Sequence, residues 1–391
     1  MTPPPSTTPD VCLIIPTVRD FDCLRAYIDN ARRHGFDTER LFTLLVTEDW
    51  CDTGAMRSML DELDVAGAVV DGSVRSRWFE EHDVADFASL IPEASHAQTS
   101  FGLVYMWANP HLEYGVFIDD DTLPHEDEDF FGRHLANLEY DGPIERVRSD
   151  TRWVNVLYQA DTTTELYPRG YPYAAMGEEV ATDTVRIHPE EVVASQGLWT
   201  NVPDLDAVRI LMDGDLNGQS TTRTDPADFE RDFVAARGQY LTVCSMNLAF
   251  KREIIPAFYQ LPMDDNAWEI GRFDDIWSGV FLKRACDVLG RRIVNGHPLC
   301  IHNKAPRSTF DDLHNEAAGL ELNEHLWQIV DGVGEGATTF EGVYRAIADR
   351  LREGTFDEYR NGAFLAHVGR AMDDWLSCLH ALDQPVALTA D

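Results

Sequence analysis

Short apolar runs alternate with helical segments through the first third of the chain. The runs at 11–15, 41–47 and 65–70 have the length and side chains of buried strands, and polar residues follow each of them. Helices are expected at 21–34 and 98–108. Because strands and helices take turns, this pattern predicts a doubly wound parallel α/β sheet.

A further strand is predicted at 115–121, and it runs directly into Asp119, Asp120 and Asp121. Open α/β sheets bind their ligands at the carboxyl ends of strands. Because side chains alternate along a strand, we expect Asp119 and Asp121 to point to one side and Asp120 to the other. Such oxygen ligands suit Mn2+ or Mg2+ holding a diphosphate, and a solvated acidic turn is the alternative interpretation.

Apolar segments are spaced more widely beyond residue 150. Four ranges there are predicted to be strands: 154–158, 192–201, 292–294 and 299–304. The segment 242–250 is expected to be buried, so that Asn247 inside it needs hydrogen-bond partners. A helix is expected to end at Leu289, and residues 340–383 are expected to form two amphipathic helices with Trp375 and Leu376 as docking residues.

The charge of the chain excludes some function classes. The net charge is −36, and only three of the 32 basic residues are lysines. This composition indicates adaptation to a very salty cytoplasm and argues against a nucleic-acid surface, which needs clustered basic residues. No apolar run has the length of a membrane span, and the first residues do not resemble a signal peptide. We therefore expect a soluble cytoplasmic protein.

Several charged residues are candidates for chemistry. Arg169 lies between Pro168 and Gly170, and we expect its guanidinium to be free to bind carboxylate or phosphate, with stacking on a tyrosine as the structural alternative. Asp274 and Asp275 precede a helix, where one of them is expected to cap backbone N–H groups while the other does acid–base work or holds sugar hydroxyls.

His302 and Lys304 follow an apolar run near the end of the predicted sheet. A single histidine in such a place is more often a hydrogen-bonded core residue. Beside a carboxylate-bound metal, however, His302 would complete the ligand set, and Lys304 would neutralise a departing diphosphate.

Eight sequence blocks, in order along most of the chain, resemble the reversibly glycosylated polypeptides, also called UDP-arabinopyranose mutases. The blocks are Ile15-Pro-Thr-Val-Arg19, Ile118-Asp-Asp-Asp121, Arg169-Gly-Tyr-Pro172, Ser195-Gln-Gly-Leu-Trp-Thr-Asn-Val-Pro-Asp204, Cys244-Ser-Met-Asn-Leu-Ala-Phe250, Gly271-Arg-Phe-Asp-Asp-Ile-Trp277, Ile301-His-Asn-Lys-Ala305 and Ala371-Met-Asp-Asp-Trp375.

This resemblance implies a GT-A type glycosyltransferase fold with a doubly wound mixed sheet, a UDP-sugar ligand, and interconversion of the pyranose and furanose forms of the sugar. It implies that Mn2+ or Mg2+ is held by Asp119, Asp121 and His302. It places the nucleotide against Thr17, Arg19 and Asp49, and the sugar against Arg169, Asp274 and Asp275. Five more residues are expected to bind substrate: Asp120, Trp199, Asn247, Arg272 and Lys304.

One position departs from the family pattern. The self-glycosylated arginine of the family corresponds here to Thr162, whose hydroxyl is a poor substitute for a guanidinium. Three hypotheses follow: a UDP-sugar mutase that uses Arg169 or a tight ion pair with UDP, a glycosyltransferase with a cell-surface glycan or lipid acceptor, and a non-catalytic nucleotide-sugar-binding subunit.

The composition and the resemblance together suggest a division of the chain. Residues 1–10 are rich in Pro and Thr, and we expect them to be a disordered lead. We expect a nucleotide-sugar domain at 11–330 and a C-terminal helical extension at 337–391 that packs on it. The apolar face of the extension would be available to a second copy of the chain or to a partner subunit.

Overall fold

Eleven strands of the described residues form one mixed sheet, which is flanked by ten α-helices. The structure is a computed structural model, and it describes residues 8–19, 21–263 and 266–383. The strands are β1 (Val11–Pro16), β2 (Leu41–Val46), β3 (Ala66–Val70), β4 (Tyr114–Ile118), β5 (Thr122–Pro124), β6 (Gly142–Ser149), β7 (Val180–Ile187), β8 (Val192–Asn201), β9 (Phe233–Ala235), β10 (Asn247–Lys251) and β11 (Arg292–His302). The helices are α1 (Cys23–Arg33), α2 (Thr53–Glu62), α3 (Gly72–Glu81), α4 (Thr99–Ala108), α5 (Phe130–Leu138), α6 (Ala207–Asp213), α7 (Asp274–Leu289), α8 (Thr309–Val330), α9 (Phe340–Glu353) and α10 (Ala363–Leu382).

The strand order brings several strand ends to one edge of the sheet. The order is β3-β2-β1-β4-β10-β8-β11-β9-β6-β7, with β5 paired to β11. Strands β1 to β4 are parallel, as predicted. Strand β10 is antiparallel to both β4 and β8, and β8 is parallel to β11. The carboxyl ends of β1, β2, β4, β8 and β11 therefore meet the amino end of β10.

Alternation along β1 explains why helices cover both faces of the sheet. Val11, Leu13 and Ile15 belong to the apolar core that contains α1, α2 and α5. Cys12 and Ile14 belong to the core on the opposite face, which contains α3, α4 and α7. Since both faces of the strand are buried, its apolar run is continuous. The doubly wound mixed α/β sheet with C-terminal helices is thus confirmed.

The strands predicted at 292–294 and 299–304 are one strand, β11, which ends at His302. Two further strand predictions were wrong, and a local turn explains each of them. Strand β4 ends at Ile118 and does not reach residue 121. The backbone N–H and the hydroxyl of Thr122 both donate to the carbonyl of Asp119, at 3.2 and 2.8 Å, and thereby close a turn. Residues 154–158 contain no strand, because the side chain of Asn155 accepts from the N–H of Leu157 at 3.0 Å and starts a turn there.

Helix α8 was not predicted, because the stripe that it buries is partly polar. Its buried positions recur every three or four residues, as in any helix packed on a core. Asp312, Glu316 and Asn323 nevertheless occupy that stripe and find polar partners inside the protein. A search for apolar periodicity therefore does not detect the helix.

The C-terminal helices α9 and α10 pack on the core that contains α4 and α7. Trp375 is fully buried, stacks on Tyr259 with ring centroids 4.7 Å apart, and donates from its indole N–H to the carbonyl of Ile255. Residues 384–391 of the predicted extension and residues 1–7 of the predicted lead lie outside the described residues. Asp10, at the end of that lead, pairs with Arg40 at 2.6 Å.

The apolar content of the helices bears on membrane contact. Within the described ranges, no helix is both long enough and apolar enough to cross a bilayer.

Trp375→Ala tests whether the C-terminal helices stabilise the whole chain. We expect the substitution to lower the free energy of unfolding by about 3–5 kcal/mol, because it removes a large buried ring and leaves a cavity. Met212→Ala, at a side chain that is 85% exposed, should change it by less than about 0.5 kcal/mol. Urea denaturation in concentrated KCl measures both values, and equal small losses would contradict the expected docking.

Candidate functional site

A cleft of about 470 Å³ opens at the sheet edge where the strand ends meet. It gathers eleven of the predicted site residues, which come from segments far apart in the sequence: Thr17, Arg19, Asp119, Asp120, Asp121, Arg169, Arg272, Asp274, Asp275, His302 and Lys304. Parallel strands of an open sheet place their carboxyl ends side by side, so this convergence follows from the topology.

The acidic turn after β4 is tied to the loop after β1. Asp120 accepts a hydrogen bond from the hydroxyl of Thr17 at 2.8 Å and two from the guanidinium of Arg19, at 2.8 and 3.2 Å. Arg19 also donates to Asp121 at 3.2 Å. One guanidinium, half of whose side-chain surface is exposed, thus compensates two of the three acids.

Asp119 differs from its two neighbours. No hydrogen bond from the described residues is found to its carboxyl group. Burial, followed by the charges of Asp121 and Asp120, raises the pKa of Asp119 well above its ordinary value. A nearby divalent cation would act in the opposite direction and favour the ionised carboxylate.

His302 presents a lone pair to the acidic turn. Its Nδ1 lies 2.7 Å from the carbonyl of Val202, which can only accept, so Nδ1 must carry the proton. In the neutral ring Nε2 is then an acceptor, and it lies 3.8 Å from Oδ1 of Asp121. Burial lowers the pKa of His302 and favours this neutral form.

The donor chemistry of Asp119, Asp121 and His302 fits Mn2+ or Mg2+, but the three side chains are not assembled around a common point. In the part of the chain that the structure describes, no three His, Cys, Asp or Glu side chains are arranged to hold a metal ion together. Because Arg19 holds one carboxylate oxygen of Asp121, these ligands would have to turn toward one another to bind an ion.

Arg169 is not free to bind a ligand, contrary to the sequence-based prediction. Its Nε donates to Asp204 at 3.0 Å, and its two terminal nitrogens donate to the two carboxylate oxygens of Asp275, at 3.2 and 3.3 Å. The carbonyl of Arg272 accepts a further bond from it. Although burial opposes the charged form, Asp204 and Asp275 raise the pKa of Arg169 well above its ordinary value.

Arg272, immediately upstream of α7, is held by α8. Its guanidinium pairs with Asp312 and, at 3.3 Å, with Glu316, and both carboxylates are buried. Helix α7 begins at Asp274, so that Asp274 and Asp275 both lie in its first turn. Negative charge there is favoured by the helix dipole.

Lys304 supplies a buried positive charge at the other side of the cleft. It is 6% exposed, and its ammonium group has no hydrogen-bond partner among the described residues. Burial lowers the pKa of Lys304 to about 8; the charge of Asp204 opposes this shift, and the charges of Arg272 and Arg307 support it. A buried ammonium without partners at a cleft wall is suited to an anionic ligand such as a diphosphate.

Three predicted site residues do not line the cleft. Asp49 is exposed, and it accepts from the N–H and the hydroxyl of Ser73 at the start of α3, at 2.8 and 2.9 Å. Trp199 is 1% exposed within the core. Asn247 is also buried; it accepts from His134 and donates to the carbonyls of Leu198 and Pro298. Strand pairing decides the positions of Trp199 and Asn247, and the contact with Ser73 decides that of Asp49. The local sequence reveals neither.

The structure adds cleft residues that were not predicted, chiefly Asp204, Arg307, Trp50 and the segment 94–99. Asp204 lies at the end of the block Ser195 to Asp204, and Arg307 lies three residues after Lys304, so proximity to a motif was an available signal for both. Nothing in the local sequence marked the segment 94–99.

Thr162, where the sequence resemblance places the family's glycosylated arginine, lies in a surface loop. Its hydroxyl donates to the carbonyl of Thr164 at 2.7 Å, and it is not among the residues that line the cleft. Arg169 does not replace the missing carrier, because a protonated guanidinium with two carboxylate partners is not a nucleophile.

The sequence of the chain also matches a family model. The chain belongs to the reversibly glycosylated polypeptide family, whose model matches residues 88–384.

Within that family the chain is similar to proteins named as mutases. It is 27% identical to a probable UDP-arabinopyranose mutase 2 of Solanum tuberosum, over 98% of this chain and 93% of the relative. It is 30% identical to a probable UDP-arabinopyranose mutase 1 of Pisum sativum (70% and 69%) and 29% identical to UDP-arabinopyranose mutase 1 of Arabidopsis thaliana (76% and 76%).

Solved structures give weaker likenesses. A mannosyltransferase from Pyrobaculum calidifontis in complex with GDP-Man and Mn2+ is 15% identical over 97% of this chain and 87% of that chain, with a TM-score of 0.34. Glucosyl-3-phosphoglycerate synthase from Mycobacterium tuberculosis is 11% identical over 83% of each chain, with a TM-score of 0.37. Scores this low carry no argument about the site.

Arg169→Met tests the structural pairing of this residue. We expect it to lower the free energy of unfolding by about 3–5 kcal/mol, because Asp204 and Asp275 remain buried without their cation. The matched control Arg19→Met, at a half-exposed pair, should cost about 1 kcal/mol or less. Urea denaturation at constant KCl compares the two variants, and similar small losses would show that Arg169 is not held as described.

The buried network of Asn247 gives a pH dependence. Burial lowers the pKa of His134 to about 4, whereas the same histidine in the unfolded chain has its ordinary pKa of about 6.5. Between these values the unfolded state binds a proton that the folded state does not, so stability falls with falling pH, by up to about 3 kcal/mol.

His134→Gln lacks this titration. The difference in the free energy of unfolding between the wild-type protein and this variant should therefore narrow as the pH falls from about 7 to about 4. Parallel pH profiles of the two proteins in urea denaturation would contradict the assignment.

Proposed function

We propose that this protein is a UDP-sugar mutase, an enzyme that interconverts the pyranose and furanose forms of a UDP-pentose. The observation that carries the proposal is the charge pattern of the cleft, in which the acidic turn 119–121 and the unpartnered ammonium of Lys304 line the same space. A nucleoside diphosphate that binds with a divalent cation needs both kinds of group. Membership of the family and relatives named as mutases support the same activity.

A divalent cation, Mn2+ or Mg2+, is part of the proposal. Asp119, Asp121 and Nε2 of His302 are the groups that would hold it, since hard oxygen ligands with one imidazole suit both ions. When bound, the ion would neutralise charge on the diphosphate and favour its departure from the sugar.

The remaining cleft residues divide between the two halves of the substrate. Lys304, with Arg307 beside it on the cleft wall, would stabilise the negative charge that develops on the leaving diphosphate. Asp274 and Asp275 would face the sugar from the first turn of α7. Arg169 holds Asp275 in place through its two parallel hydrogen bonds and is therefore a positioning residue.

The detached sugar needs a partner while its ring changes. With Thr162 in place of the carrier and Arg169 fully paired, an arginine-bound sugar is disfavoured. We infer that departure of UDP leaves an oxocarbenium sugar that is held as an ion pair with the diphosphate within the cleft. The oxygen of the 4-hydroxyl then bonds to C1 and loses its proton, and when UDP returns to C1 the bond between C1 and O5 breaks and O5 takes up a proton, so that the five-membered ring remains.

A second candidate is transfer of the sugar to a glycan or lipid acceptor. The threonine at the carrier position favours this alternative, because a transferase needs no group to retain the sugar. A subunit that binds the nucleotide sugar without turnover is the third possibility, and the same assay separates all three.

The assay for ring interconversion incubates the protein with UDP-arabinopyranose, Mn2+ and concentrated KCl. We expect the furanose form to appear without any acceptor, as measured by anomer-resolved NMR. Asp119→Asn and Asp121→Asn should each lower the rate by at least about 100-fold, because they remove proposed metal ligands. Asp127→Asn, at an exposed acid just beyond the turn, is the matched control and should retain the rate.

The other outcomes of this assay are distinct. Release of UDP only after addition of cell extract would indicate a transferase. Binding of UDP-arabinopyranose without turnover under either condition would indicate a binding subunit. If Asp119→Asn converted UDP-arabinopyranose at the wild-type rate, the acidic turn would have no role in the reaction.

A further inference from the structure

The end of the cleft next to β2 differs in chemistry from the rest. Its lining there consists of Trp50 and residues of the segment 94–99, namely Ala94, Ser95, His96, Gln98 and Thr99. These six residues include no Asp, Glu, Lys or Arg, whereas the rest of the lining contains all of the cleft's Asp, Lys and Arg residues. An end with one large aromatic side chain and several neutral polar groups suits a flat, uncharged ring.

Trp50 lies at a useful distance from the acidic turn. It follows β2, and β2 is separated from β4 by β1 alone. Neighbouring strands are about 4.8 Å apart, so the strand that precedes Trp50 and the strand that precedes Asp119 are about 10 Å apart across the sheet. The indole is 63% exposed, so that a ring stacked on it would remove apolar surface from water.

A buried carboxylate fixes both sides of this end. Glu48 is 1% exposed and accepts from the guanidinium of Arg75 at 2.9 and 3.0 Å, from the N–H of Ala94 at 2.9 Å and from the amide of Gln98 at 2.5 Å. Glu48 is two residues before Trp50, and its carbonyl accepts from the N–H of Cys51. Glu48 therefore anchors both walls: its backbone carbonyl closes the turn that carries Trp50, and its side chain holds the segment that lines the cleft beside it.

We propose that Trp50 is the stacking platform for the nucleobase of the bound nucleotide, with the edge of the base directed toward the polar groups of residues 95–98. This proposal rests on the proposed function, because it assigns the base end of the same site. It makes Trp50 a residue that contributes to binding of the nucleoside and not to binding of the diphosphate.

The test compares ligands with and without a base. Binding of UDP, GDP and inorganic pyrophosphate, each with Mg2+ in concentrated KCl, is measured by calorimetry for the wild-type protein, Trp50→Ala and Trp50→Phe. We expect Trp50→Ala to weaken UDP binding by about tenfold or more and to leave pyrophosphate binding unchanged. Trp50→Phe should keep most of the affinity, since a smaller aromatic face remains.

Phe310→Ala is the matched control, because Phe310 is similarly exposed, at 58%, and does not line the cleft. It should change neither affinity. Equal weakening of UDP and pyrophosphate by Trp50→Ala, or no weakening of either, would overturn the stacking role.

The stacking role of Trp50 and the UDP-sugar mutase activity are excluded by different results. If the wild-type protein binds GDP through Trp50 and does not bind UDP, the stacking role stands and the UDP-sugar mutase is excluded. If the wild-type protein binds none of the three ligands, both are excluded. If UDP binds and Trp50→Ala binds it equally well, only the stacking role is lost.

Discussion

The arrangement of the cleft depends on one constraint: the negative charge of carboxylates buried at this sheet edge must be compensated by positive groups. Asp204 and Asp275 are buried, and leaving either charge unpaired would cost several kcal/mol. A single guanidinium, that of Arg169, pairs with both of them. Since Asp204 follows β8 and Asp275 lies in the first turn of α7, this pairing fixes the sheet edge and the helix relative to each other.

Similar pairs hold the other walls of the cleft. Arg272 is fixed by Asp312 and Glu316 of α8, Asp120 by Arg19 in the loop after β1, and Glu48 by Arg75 of α3. Each pair joins segments that are distant in the sequence. The walls therefore form only when the whole sheet is assembled. At this edge a few arginines fix the positions of the acidic side chains.

The charged groups of the cleft fall into two classes, those paired within the protein and those left to bind a ligand. Arg169 and Arg272 are engaged by protein carboxylates, which makes them positioning groups. The ammonium of Lys304 and the carboxyl group of Asp119 lack such partners among the described residues. A bound diphosphate would give Lys304 the hydrogen bonds that the described residues do not make, and a cation would compensate the charge of Asp119.

The sequence by itself determined the parallel half of the sheet, helices α1, α4, α7, α9 and α10, the acidic residues after β4 and the family, because apolar periodicity and contiguous motifs are local properties. Only the tertiary structure decided that Arg169 is paired, that Asn247 and Trp199 lie in the core, and that His302 presents Nε2 to Asp121. It also revealed α8, whose buried stripe contains acids matched by Arg272. These outcomes depend on which charged and polar groups meet across the fold, and the spacing of residues along the chain does not contain that information.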